Sequence, residues 1–151
     1  MTKLTLSSSA FDGGEPIPRC YGYTQANTSP PLTVEGVPDD AVSLALVMDD
    51  PDAKPIAGKI WTHWILWNVP PDTTEIPEGE CPAEAVTGRN DWDEPGYGGP
   101  NPPDGEHSYR FRLYALDTDL DLAKTATGAA LQEAIADHIV EQTLLEGTYA
   151  P

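Results

Sequence analysis

Two cysteines, eight lysines and arginines, and two phenylalanines are all that 151 residues contain of these types. The scarcity of cysteine (Cys20 and Cys81, in no C-x-x-C or Cys/His spacing) excludes a disulfide framework and gives no zinc signature; two reduced thiols are the expectation. The scarcity of cations excludes nucleic acid and anionic membrane surfaces as partners, because both are held through Lys and Arg contacts to phosphate. No apolar run approaches the ~20 residues of a membrane span. The N-terminus, Met1-Thr2-Lys3-Leu4-Thr5-Leu6, lacks the apolar core of a signal peptide, so a cytoplasmic location is expected.

Acid is abundant instead. Twenty-five Asp and Glu give a net charge of −17. Disorder is the usual consequence of such a balance, but here the acids are interspersed with apolar segments such as Leu44-Ala45-Leu46-Val47-Met48. A folded protein adapted to high salt is the expectation, since at ~1 M salt the Debye length falls to ~3 Å and self-repulsion is screened. The length fits a single domain over residues 1–151.

Sixteen prolines and thirteen glycines punctuate the chain throughout, which favours short strands and many loops. Lys3 to Leu6 reads as an edge strand, and Leu32-Thr33-Val34 follows the extended Pro30-Pro31 pair. Ala41 to Met48 has the continuous apolar character of a strand buried on both faces, ending at Asp49-Asp50-Pro51-Asp52. Trp61 to Val69 is a further strand. Period two places Trp61, His63, Ile65 and Trp67 on one face and Thr62, Trp64, Leu66 and Asn68 on the other. Gly88 to His107 is a long loop, and Tyr109 to Leu116 alternates as a strand. Thr127 to about Leu145 reads as one helix, with Leu131, Ile135, Ile139 and Gln142 along a ridge and Gly147 as its stop.

Ionisable groups fall beside this punctuation at three places. Asp50 ends a buried strand, His63 lies among tryptophans, and His107 and Tyr109 stand two apart at a strand start. Each has a plain structural role available: turn former, hydrogen-bonded core histidine, packing ring. Asp50 and His63 could also simply satisfy each other.

Taken in order, Asp49-Asp50-Pro51-Asp52-Ala53, Trp61-Thr62-His63-Trp64 and Tyr97-Gly98-Gly99-Pro100-Asn101-Pro102-Pro103-Asp104-Gly105-Glu106-His107-Ser108-Tyr109 resemble the phosphatidylethanolamine-binding protein family. The likeness is to its bacterial and archaeal branch, often labelled Raf-kinase-inhibitor-like. Asn27-Thr28-Ser29-Pro30-Pro31-Leu32, Gly88-Arg89-Asn90-Asp91-Trp92 and Tyr114-Ala115-Leu116-Asp117 extend it from about residue 8 to 149. The resemblance implies a mainly β fold, a Greek-key-like sheet core with a C-terminal flanking helix. It also implies an anion pocket lined by Asp50, Trp61, His63, Gly99, Pro102, His107 and Tyr109, and it allows a cis Asp50–Pro51 bond.

The chain departs from the family pattern in four places: Ser108 stands where Arg is usual, Asn101 where bacterial members often have Cys, Tyr21-Gly22-Tyr23-Thr24 where they often have another, and Lys54 precedes Pro55. Loop rigidity, more than the pocket, is what the first of these puts in question.

The chemistry expected is reversible capture of a small phosphorylated or carboxylated ligand, without metal or cofactor. Both histidines and Tyr109 would donate, Asp50 would orient an imidazole, and the Gly99–Pro102 turn and Trp61 would form walls. Affinity should then rise as pH falls through about 6.5, the ordinary histidine value. A phosphoester-acting enzyme using Asp50, His63 and His107 is a weaker reading, for lack of an activated nucleophile or a two-metal carboxylate set. A kinase- or protease-modulating interaction module is the other.

Overall fold

The computed structural model describes residues 3–151. Eight strands and two short helices follow in the order β1 (Thr5–Ser7), β2 (Leu32–Glu35), β3 (Ser43–Asp50), α1 (Lys54–Ala57), β4 (Trp61–Val69), β5 (Glu75–Ile76), β6 (Val86–Thr87), β7 (His107–Leu116), α2 (Gly128–Ile135) and β8 (Ile139–Tyr149). They form two antiparallel sheets, β1-β2-β5 and β6-β4-β3-β7-β8. The mainly β expectation holds.

β3 occupies the centre of the larger sheet, which is why all eight of its residues are buried and why its middle, Leu44 to Met48, is wholly apolar. Leu44, Leu46 and Met48 face the smaller sheet, packing with Leu32, Val34, Ile76, Phe111 and Leu113. Ala45 and Val47 face the other way, joining Ile65, Trp67 and Leu116 beneath Leu131 and Ile135 of α2. The larger sheet is thus covered on both faces, by strands on one and by a helix on the other.

The helix is half as long as its sequence period suggests. It ends at Ile135, and after the turn at residues 136–138 the chain becomes β8, paired with β7 from His107↔Tyr149 to Ala115↔Glu141 and, past a one-residue shift at Val140, at Leu116↔Ile139. The molecule therefore closes on a strand. Gly147 is no helix stop; its missing side chain leaves room for Phe11 and Ile17, 2.6–2.8 Å from where a Cβ would sit. Strand pairing wins because β7 would otherwise be an unpaired edge ten residues long.

No peptide bond among the described residues is cis, so Asp50–Pro51 is trans, against the expectation from resemblance.

Candidate functional site

Asp50 is the last residue of β3, and the following Pro51 breaks the ladder and starts a single 3-10 turn, Pro51–Ala53. One Asp50 oxygen accepts the Asp52 N–H at 2.9 Å, which fixes the carboxylate against its own turn. The next acid, Asp52, accepts the Ser108 N–H at 2.8 Å and ties that turn to the start of β7. The Ser108 backbone is thereby anchored by a side chain from the neighbouring strand end.

His63 is brought to the same end by a break in the β3–β4 register. Met48 pairs with Trp64 and Asp49 with Thr62, so His63 is an extra residue with no partner on β3. Such a bulge re-aims side chains. Strict alternation would put His63 with Ile65 and Trp67 under the helix. Instead its ring stands edge-on to Tyr109 and Trp92, each with centroids 5.2 Å away.

Its Nδ1 lies 2.7 Å from the Gly98 carbonyl, while the Gly98 N–H returns a 2.9 Å bond to the His63 carbonyl. A carbonyl only accepts, so Nδ1 carries the proton and Nε2 presents a lone pair. Burial pushes the His63 pKa below the ordinary value, the Gly98 carbonyl and Asp50 opposing it without prevailing. His63 is neutral, and it neither meets nor satisfies Asp50.

His107 is the charged partner. Its Nδ1 donates to Asp50 Oδ2 at 2.6 Å and its Nε2 to Asp104 Oδ1 at 2.8 Å. Burial works against the charge, but the hydrogen bonds and fields of the two carboxylates outweigh it and raise the pKa above the ordinary value. Both nitrogens donate at once only in the imidazolium.

Tyr109 is fully buried on the same strand. Burial first, then the nearby Asp50 carboxylate, holds its pKa far above the ordinary phenol value, so the hydroxyl stays protonated. It feels Asp50 and the Asn101 backbone but meets neither at hydrogen-bond geometry: the Tyr109 hydroxyl and the Trp61 indole N–H are buried without a partner.

These groups enclose a cavity of about 250 Å³. Asp50, Trp61, His63, His107 and Tyr109 all line it. Gly99 and Pro102 do not; Asn101 and Pro103 take their place in the wall. Gly99 is a packing residue, its N–H donated to Asn27 Oδ1 at 2.7 Å and the position of a Cβ only 2.1 Å from the Tyr21 carbonyl. The expected nest of free N–H groups at Gly99 is therefore already used in holding the loop.

Sequence reasoning missed Trp92 and the apolar rim made by Ala53, Ile56 and Ala57 of the Pro51–Ala57 segment. Trp92 had a signal in Asn90-Asp91-Trp92. The buried Asn90 side chain accepts from the Trp92 and Glu94 N–H groups, and the indole then stacks on Tyr23 at 4.2 Å. Among the described residues no group of three or more His, Cys, Asp or Glu is placed to hold a metal ion.

Two packed sheets, two short helices and a His/Asp/Tyr cavity at the ends of three neighbouring strands define a mainly β fold with one polar cavity at its sheet edge. The model of the phosphatidylethanolamine-binding protein family matches residues 7–150, and the chain belongs to that family. A UPF0098 protein from Methanothermobacter thermautotrophicus is 45% identical over 151 residues, covering 97% of this chain and 98% of that protein. The crystal structure of the PEBP homolog CT736 from Chlamydia trachomatis superposes with a TM-score of 0.92 at 39% identity, covering 99% and 98% of the two chains. YbcL from E. coli, described as a member of the mammalian PEBP family, gives 0.92 at 29% identity over 98% of each. No helix among the described residues is long and apolar enough to cross a membrane.

Proposed function

We propose that the cavity reversibly binds a small phosphate-type anion. The observation that carries this reading is that two of the buried donors without a partner, Tyr109 Oη and Trp61 Nε1, belong to residues that line the same cavity as a charged imidazole. Leaving a buried donor unpaired costs roughly 1–3 kcal/mol. Two in one cavity are best explained by a ligand that accepts from both. Binding without turnover is the proposal, because the Tyr109 hydroxyl is held protonated and no serine, threonine or cysteine lines the wall.

Trp61 and Trp92 make the test direct. Titration of inorganic phosphate and O-phosphoethanolamine, followed by tryptophan fluorescence, is expected to give a saturable change with no phosphate released from the ester. A signal linear in ligand up to tens of millimolar would remove the reading.

A further inference from the structure

Nδ1 of His107 is committed to Asp50, a carboxylate with a side chain 5% exposed that is also fixed by the Asp52 N–H. Nε2 is committed only to Asp104, whose side chain is 57% exposed and whose carboxylate has no other partner among the described residues. Asp104 follows Pro103, which lines the cavity, and precedes Gly105, around which space is open. Two carboxylates and one imidazolium leave the cluster with one net negative charge. An incoming anion thus finds the cavity's charged donor already taken and an extra negative charge beside it.

We propose that Asp104 is a tethered competitor: its carboxylate holds the ligand's place on His107 Nε2, and anions bind by exchange with it. The inference rests on the anion-site reading above. A carboxylate tethered three residues from the imidazole acts at an effective concentration on the order of millimolar or more. If the closed pair is populated about nine-tenths of the time, apparent affinity for any exchanging anion drops about tenfold.

The test compares the native protein with Asp104→Asn and Asp104→Ala at pH 6, with the Asp50–His107 pair present in all three and the charge of the ring read from its own ¹⁵N shifts. Sulfate, a dianion, and acetate, a monoanion, are titrated while the His107 ring and Trp61 indole ¹H–¹⁵N signals are followed. Exchange requires the monoanion acetate, as well as sulfate, to gain affinity about tenfold or more. A gain for sulfate with acetate changed less than about twofold would mean that Asp104 only repels through space, and unchanged or weaker binding would mean that it only steadies the loop. Each of these overturns the proposal while leaving the anion site standing. If neither anion, nor phosphate, saturates the signals in any of the three proteins, the anion-site reading itself falls, and the competitor with it.

Discussion

Replacing Tyr109 by Phe separates binding from folding. The ring stays to fill the buried site, and only the hydroxyl without a partner is lost. A hydrogen bond to a charged group is worth about 1.5–3 kcal/mol, so phosphate affinity should fall about tenfold or more. Stability should hold or rise slightly, because the substitution removes a buried polar atom that nothing satisfies. Denaturant melts beside the phosphate titration check both signs. A destabilised Y109F variant with intact affinity would return Tyr109 to a packing role. The two histidines make an opposed pair in the same way. His107, raised, carries charge and should show its ring titrating above pH 6.5; His63, lowered, should titrate below it. Ligand affinity is therefore expected to drop as pH rises through the His107 value, a window above the 6.5 expected from sequence alone. The stability that His107 confers follows the same course, full below its unfolded value near 6.5 and lost as pH passes its raised folded value. His63 acts in reverse, costing stability as pH falls below about 6.5. NMR titration of both rings, with phosphate affinity at pH 6 and 9, resolves the two.

At the scale of elements, the sequence was legible where burial and period agreed and misleading where pairing overrode period. β4 spans the residues its sequence pattern predicts, Trp61–Val69, since Pro70 and Pro71 bound it. The inserted His63 is invisible to an alternation pattern, because a bulge is a property of two strands and one strand's sequence does not reveal it. The helix was overextended for a related reason. Leu131 and Ile135 pack onto the sheet, but Ile139 and Gln142, which continue their period, lie in β8, whose outward face carries exposed Val140 and Leu144 that blur its alternation. Burial thus assigns Leu131 and Leu144 opposite weights. Leu131→Ala should cost about 2–5 kcal/mol, while an exposed site such as Leu144→Ala should stay within about 0.5 kcal/mol, measured by urea melts. Equal costs would place residues 139–145 back against the core as a helix.

Over the whole molecule, excess acid is a force the fold has to withstand. The described ion pairs use few of the 25 acids. Asp49, buried, takes both Arg110 and Arg112 at 2.6–3.1 Å, which removes two of the eight cations from the surface's use. What remains outside is a nearly one-signed field, including the exposed Asp72, Glu75, Glu80 and Glu84 within one stretch of chain. Unfolding relieves repulsion among such groups by spreading them apart, and salt removes that incentive: the Debye length shrinks from ~10 Å at 0.1 M to ~3 Å at 1 M. The Asp49 cluster is partly shielded from solvent and is weakened less by the same salt. The melting temperature should therefore climb between 0.05 M and 2 M KCl. Neutralising Asp72, Glu75, Glu80 and Glu84 to Asn and Gln should flatten that climb by raising its low-salt end. A melting temperature that is level or falls with KCl would show that contacts, and not the field, dominate, and would end the expectation of a salt-adapted protein.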